Sequence, residues 1–447
     1  IRDGLEDRDY IERHTLGFAG LKDRVREWTP DRAAQLTGIP AADIVELARE
    51  YATIRPAAIR LNYGVQRSER GAMAVRLVSL LPALTGAWRD AGGGIQLSTS
   101  YASHFNSQAI EMPELQLRSP LGRDARIINM AELGDALTKR NDPAIHALVV
   151  FNSNPAAIAP DQNTVHKGLR REDLFTVVLE QLQTDTADFA DIILPATTFL
   201  ENTDLHKPYG HYYLQLSRPA LPPPGEARSN QDIFRALAAR MGFTEPCFRD
   251  SDDHMIRAAL SSGHPFLDGI TLEALDQRHF IRLNVPDPFL PFAEGGFGTP
   301  SGKCEFHAET LDFEPPVESR NGDSSLRSRF PLELISPKGD NNVNSTFSSR
   351  PENDELQGSL TLHPVDAAAR GIAQHDAVRV FNDRGECELK ARIETTVAEG
   401  VVCVRSTRWP RLAPDRRGIN MLTSQRLTDK GGGPTFYSCL VQVEKIA

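Results

Sequence analysis

ALVVFNSNPAAIAPD (residues 147–161) and LFTVVLEQLQTDTADFADIILPATTFLEN (174–202) decide how this chain is read. Each half opens on a short apolar run, Leu148–Phe151 and then Phe175–Leu179, and breaks abruptly into polar residues. Runs of this length bounded by polar residues read as strands, and a helical stretch lies between them. In an open α/β sheet, ligands bind where strands end and loops begin. The first end offers Asn152, Ser153, Asn154 and Pro155; the second offers Glu180, Gln181, Thr184, Asp185 and Thr186. Amides, hydroxyls and backbone N–H groups in this density suit phosphates, ribose and a base edge better than bond-breaking chemistry. Periodicity by itself favours two ordinary strand-to-loop transitions.

As patterns, the two halves read strand–x–Asn–x–Asn–Pro and Val-Val-x-Glu-x-x-x-Thr-x-Thr-Ala-x-x-Ala-Asp-Ile-x-Leu-Pro-Ala. They resemble the second dinucleotide-binding unit of the molybdopterin oxidoreductases of the dimethyl sulfoxide reductase superfamily. The resemblance runs from about Tyr10 to the C-terminus through several motifs in order. It implies an α/β fold, a mainly parallel sheet that binds dinucleotide, followed by a C-terminal double-psi β-barrel. Three regions are expected: the remainder of an α/β domain truncated at its N-terminus (1–70), an α/β molybdopterin-dinucleotide-binding domain (71–325), and a β-barrel cap (330–447). The implied cofactor is bis-molybdopterin guanine dinucleotide with molybdenum or tungsten. The implied chemistry is two-electron redox, often oxygen-atom or hydride transfer, on a small substrate.

Length and composition bound the alternatives. A chain of 447 residues has room for a sizeable packed core. Its formal net charge of −10 argues against general nucleic-acid affinity, which needs clustered Lys and Arg. No apolar run approaches a membrane span. The cysteines (Cys247, Cys304, Cys387, Cys403, Cys439) are scattered without a C-x-x-C, so the chain holds no iron–sulfur ligand run and its thiols are expected reduced and mostly buried. The family normally begins with a cysteine-rich cluster domain and the residue that ligates the metal. By that resemblance the chain is expected to be the C-terminal part of a longer protein, with a 4Fe-4S cluster and the metal ligand upstream of Ile1. A cytoplasmic location is favoured, and an electron-transfer subunit is expected among its partners.

The remaining motifs fall in order along the chain. Ile44, Leu47, Ala48 and Tyr51 give one apolar face of a helix, with Pro40 at its start and Pro56 beyond its end. Ala57–Leu61 reads as a buried strand, and Met73, Leu77, Leu80, Leu81 and Leu84 mark the next helix. By the family alignment Tyr63 and Arg67, between them, contact pterin; without it Arg67 is a solvated surface arginine. Tyr213, Gln215 and Ser217 alternate with Leu214 and Leu216 as in a strand. A helix follows the stiff Pro-rich stretch 219–224, with Ile233, Phe234, Leu237 and Met241 expected inward. Asn230 or Ser229 caps it. By resemblance Asn230 also stands where the family often places an Asp against guanine. Residues 244–320 read as irregular and 316–329 as a linker.

From Phe330 the texture turns to strand period, with Val378 and Val380 alternating, a hairpin turn at Asn382–Gly385, and Cys387, Leu389, Ala391 and Ile393 on one face. The loop from Ser336 through Lys338 to Asn344, Ser345 and Thr346 follows the strand Leu332–Ile335; its donors could wrap a pyrophosphate. Family positions that touch the same cofactor fall on Asn420 and Tyr437. Asn202, at the end of the opening stretch, joins Asn154, Glu180, Thr184 and Thr186 in the set expected to bind cofactor. These last four are expected to line one cleft with Asn230 at its edge. No residue is assigned to catalysis or to a metal. None of the twelve histidines forms an H-x-x-x-H pair, and no G-x-S-x-G, P-loop or G-x-G-x-x-G occurs. Two other classes compete: a non-catalytic relative such as the large iron–sulfur subunit of NADH–quinone oxidoreductase, and a double-psi binding module.

Overall fold

The computed structural model describes residues 1–307 and 313–446. Its strands up to residue 305 are short: β1 (Thr15–Leu16), β2 (Ala58–Arg60), β3 (Gly94–Gln96), β4 (Ala147–Phe151), β5 (Phe175–Glu180), β6 (Ile192–Pro195), β7 (Asp204–His206), β8 (Tyr213–Ser217), β9 (Phe280–Arg282) and β10 (Cys304–Glu305). They do not form one sheet. β4, β5 and β6 make a three-stranded parallel sheet, with Val149 opposite Val177 and Val177 opposite Ile192. β2 pairs β3 and β1 pairs β10, both parallel, while β7, β8 and β9 form an antiparallel sheet. The β2–β3 pair joins residues on either side of the division expected at 70/71.

The parallel trio is the unit read from the opening motifs. β4 leads into the helix Gln162–Leu169, which packs Val165 and Leu169 onto a core with Leu137, Ala156 and Leu174. The opposite sheet face is only partly covered. Val149, Phe151, Phe175 and Ile192 stay 44–50% exposed, although Phe234 meets Phe151 edge-on at 5.1 Å. Parallel sheets are normally covered on both faces, so this one still has apolar surface to bury.

After residue 330 the chain closes into a barrel. β11 (Leu332–Ile335), β12 (Ser359–Leu362), β13 (Ala377–Asn382), β14 (Gly385–Ile393), β15 (Val401–Cys403) and β16 (Leu440–Lys445) run in the order β11-β15-β12-β14-β13-β16. Inward Leu332, Leu334, Leu360, Leu362, Val378, Val380, Ala391, Val402 and Val441 are at most 1% exposed and fill it. Asn382 pairs with Gly385, which fixes the expected hairpin and its register.

Several local expectations are corrected. β2 is not buried: Ala58 and Arg60 face solvent. The helix Ala41–Thr53 forms as read but buries none of its residues, and Leu47 is 68% exposed. In the helix Asn230–Arg240 the buried residue is Ala238, whereas Leu237 and the following Met241 point outward. Residues 244–320 are not irregular throughout. Helices Asp252–Leu260 and Leu272–Arg278 pack Ile256, Leu260, Leu272 and Leu275 against Leu214 and Leu216 of β8. Nor is 316–329 a free linker, because Glu318 is 4% exposed and bonded to Arg384 in the barrel.

Candidate functional site

The C-terminal ends of β4 and β5 lie side by side, as their parallel register requires. Asn154, Thr184 and Thr186 meet there, buried and bonded to one another or to adjacent residues. They are 2%, 4% and 0% exposed. Asn154 Oδ1 accepts from the Thr186 N–H (3.1 Å) and hydroxyl (2.7 Å), and its Nδ2 donates to Asp185 Oδ2 (3.2 Å). Thr186 Oγ1 accepts from the Ala156 N–H and Thr184 Oγ1 from the Ala187 N–H. The three residues lash the two strand ends together beneath the surface. Buried polar atoms must find partners, and these find them in one another.

Asn420 is buried in the same way. It is 4% exposed and its Nδ2 donates to the carbonyls of Ala157 (3.1 Å) and Ile158 (3.3 Å). It fastens the barrel to the α/β part. Gln162 and His166, not singled out from sequence, hold the same turn through the Ala156 and Ala157 carbonyls. Burial pushes the His166 pKa down, which suits a neutral hydrogen-bonding ring.

Above this frame lie the groups that remain available. Glu180 is half-buried at the end of β5, with Oε1 accepting the Gln181 N–H at 2.8 Å; burial raises its pKa. Asn230 is not the helix cap: Ser229 Oγ accepts from the Asp232 N–H and fills that role. The Asn230 Nδ2 donates to Asn152 Oδ1 (2.9 Å), leaving Asn230 Oδ1 buried without a partner. Asn202 lines a cleft of about 560 Å³ beside the same helix start, together with Thr197, Arg228, Ser229, Asp232 and Asp252.

A second cluster forms where the barrel meets the turn after β2. The Tyr437 N–H donates to the Arg67 carbonyl (2.9 Å), and the Tyr437 ring lies 3.4 Å from where a side chain on Gly64 would start. Its hydroxyl donates to the Ser336 carbonyl at 3.4 Å. Tyr63 is exposed on the same turn. Partial burial, then the nearby Arg67 charge, lowers the Lys338 pKa. Among the described residues neither cation has an acidic partner; Arg67 lies only over the Phe436 ring, at 5.4 Å. Asn344, at a left-handed φ of 54°, and Thr346 are exposed, while Ser345 is half-buried.

The two clusters are joined by the segment Trp409–Arg411, not singled out from sequence. The Trp409 Nε1–H donates to the Ser345 carbonyl (2.8 Å), and two residues on the Arg411 N–H donates to Asp185 Oδ1 (2.7 Å). Arg411 lies 226 positions from Asp185, so nothing local in the sequence announces the contact. Among the described residues no three His, Cys, Asp or Glu side chains converge as a metal site.

The strand ends of a parallel sheet carry amides and hydroxyls, and a closed barrel is fastened beside them. Comparison with known families makes this specific. Residues 12–240 match the model "Molybdopterin oxidoreductase" and residues 332–440 match "Molydopterin dinucleotide binding domain". The chain belongs to the molybdopterin oxidoreductase family, within the relatives of dimethyl sulfoxide reductase. It is 37% identical to the "Probable oxidoreductase YoaE" of Bacillus subtilis (strain 168), over all of this chain and 65% of that protein. It is 28% identical to "Dimethyl sulfoxide reductase DmsA" of Escherichia coli (strain K12), over 94% of this chain and 57% of that protein. The chain thus spans about two-thirds or less of the length of these relatives. The structure of "Acetylene Hydratase from Pelobacter acetylenicus" superposes with a TM-score of 0.78 over all of this chain and 68% of that one, at 22% identity, and shares the fold.

Proposed function

We propose that this chain forms the cofactor-enclosing part of a molybdenum- or tungsten-dependent oxidoreductase that binds bis-molybdopterin guanine dinucleotide. The observation that carries this reading is the Arg67–Lys338 pair. Lys338, its pKa lowered by burial and then by Arg67, and Arg67 itself have no acidic partner among the described residues, which suits them to a polyanion. Tyr437 joins the two segments, its N–H on the Arg67 carbonyl and its hydroxyl on the Ser336 carbonyl, and we assign Tyr63 and the loop Asn344–Thr346 to the same cofactor. Asn230 Oδ1, buried and unpartnered, is an acceptor suited to a base N–H. Glu180 and Asn202 stand at the same rim, where a carboxylate accepts from guanine N–H groups or ribose hydroxyls. Asn154, Thr184, Thr186 and Asn420 hold the rim from beneath.

When bound, the cofactor supplies two-electron chemistry, with oxygen-atom or hydride exchange on a small molecule; the protein binds, orients and shields it. We assign the metal ligand and a 4Fe-4S cluster to the part of the relatives' length that this chain does not span. An electron-transfer subunit and a cytoplasmic location complete the proposal. Among the described residues no helix is long and apolar enough to cross a membrane. A non-catalytic, electron-transferring relative is disfavoured. An empty site would keep two adjacent unpaired cations and an orphaned acceptor at a cost in stability and with no return. Acid treatment of matured, metal-replete full-length protein should release guanine nucleotide and oxidised pterin; finding neither overturns the proposal.

A further inference from the structure

We infer that the Trp409–Arg411 turn is a clasp that couples the two cofactor-facing loops, so that order in one is transmitted to the other. The turn leaves the barrel after β15 and touches both loops within three residues. On one side it holds the 336–348 loop. The Trp409 indole N–H donates to the Ser345 carbonyl at 2.8 Å. Just upstream, Ser406, at a left-handed φ of 67°, donates its N–H to the Pro337 carbonyl (2.7 Å) and its Oγ accepts from Asn342 Nδ2. Asn342 Nδ2 also donates to Ser348 Oγ at 2.9 Å, so the loop is braced from within as well.

On the other side the turn holds the 181–188 loop. The Arg411 N–H donates to Asp185 Oδ1, its guanidinium donates to the Gln183 carbonyl, and Asp188 Oδ1 lies 3.5 Å from it. Asp185 is the pivot. Its other oxygen accepts from Asn154 Nδ2, so a single buried carboxylate receives one bond from the barrel and one from the end of β4. The Asn154 amide then fixes Thr186. A continuous chain of bonds therefore runs from Ser345 through Trp409, the Pro410 peptide, Arg411, Asp185 and Asn154 to Thr186. Buried Trp409 and Pro410 make the turn stiff enough to pass a displacement on.

Trp409, Asp185 and Arg411 are positioning residues in this scheme; none is offered as touching the cofactor. The inference rests on the reading that both loops face one dinucleotide cofactor. Its test needs no cofactor, so the two can fail separately. The experiment is amide hydrogen exchange on the full chain, comparing parent, Trp409→Phe and Asp185→Asn. Trp409→Phe keeps an aromatic ring, smaller than indole, and removes the one donor. Asp185→Asn replaces an acceptor facing Asn154 with a competing donor.

Each lost hydrogen bond should speed exchange roughly threefold to tenfold in the loop it served. The clasp requires more. Trp409→Phe should also speed exchange at 184–188, and Asp185→Asn at 343–348, with barrel strands β13 and β14 unchanged. Arg411→Ala should accelerate 184–188, and Arg411→Lys should restore it, since an ammonium can still reach the Gln183 carbonyl. Acceleration confined to the mutated side in both variants overturns the inference. If Trp409→Phe does not fold, Asp185→Asn alone decides by its effect on 343–348.

Discussion

Arg384→Met should destabilise the cap more than any loss at its partner Glu318. The two form a bidentate pair, Arg384 Nη1 to Glu318 Oε1 at 2.8 Å and Nη2 to Oε2 at 2.7 Å, and Glu318 Oε2 also accepts the Leu440 N–H at 3.2 Å. Their burial is unequal: the Glu318 side chain keeps 5% of its surface and the Arg384 side chain 24%. Breaking a buried pair costs about 3–5 kcal/mol because a charge is left uncompensated. Arg384→Met strands the more deeply buried member, with one N–H left to it, so the upper half of that range applies, about 4 kcal/mol. Glu318→Gln strands the member that can still reach water and that keeps its bond to the Leu422 carbonyl (2.7 Å), and should cost about 2 kcal/mol. Replacing both by apolar residues of similar volume removes the orphaned charge and should recover most of the loss. Urea unfolding followed by Trp409 fluorescence, with Trp28 and Trp88 changed to Phe, reads the cap. A Glu318→Gln cost equal to or above that of Arg384→Met would refute the argument from unequal burial.

Three further outcomes are expected. Burial and the nearby Arg67 hold the Lys338 pKa below its ordinary value, and a polyanion beside it would favour the charged form. Binding of inorganic pyrophosphate should therefore weaken as pH rises through that lowered value, with proton uptake there in calorimetry in buffers of different ionisation enthalpy, and Lys338→Met should abolish both. Glu180→Ala should reduce cofactor retention, measured as metal and pterin content under limited supply, by the worth of one charged hydrogen bond, about 1.5–3 kcal/mol, with fold stability changed by under about 0.5 kcal/mol; equal content in mutant and parent would remove Glu180 from the site. Burial pushes the Cys304 thiol up to about 11 and the Cys439 thiol up to about 12, and raises those of Cys387 and Cys403, so in native protein only half-buried Cys247 should react promptly with a thiol reagent; modification of Cys439 without unfolding would contradict that.

What could be read in advance was what local chemistry enforces. β4 and β5 form where apolar runs break into polar ends, and the hairpin at Asn382–Gly385 sets the register of β13 and β14. The motif residues also gathered at the strand ends, but their roles were legible only in part. Asn, Thr and Asp at such an end serve equally to bind a phosphate or to satisfy one another, and the bonds of Asn154 and Thr186 to their neighbours are what the structure adds. Exposure decides between these, and exposure is a property of packing. The outward Leu237 and Met241 fail for a related reason. A helical stripe says which residues want cover, whereas what covers them is supplied by other elements. The helices within 244–320 are short and were hidden among Pro and Gly. The Asp185–Arg411 contact links positions so distant that no window of sequence contains both.

The strand order of the barrel also sets when it can exist. β16 lies between β11 and β13, bonded to both, and follows β15 by 37 residues. Until it arrives, β11 and β13 present two unpaired edges and the barrel is an open sheet. Contacts this far apart along the chain form late, because loop closure must be met before they reward it. During synthesis, then, the parallel trio at 147–195 can assemble while the cap above it still gapes.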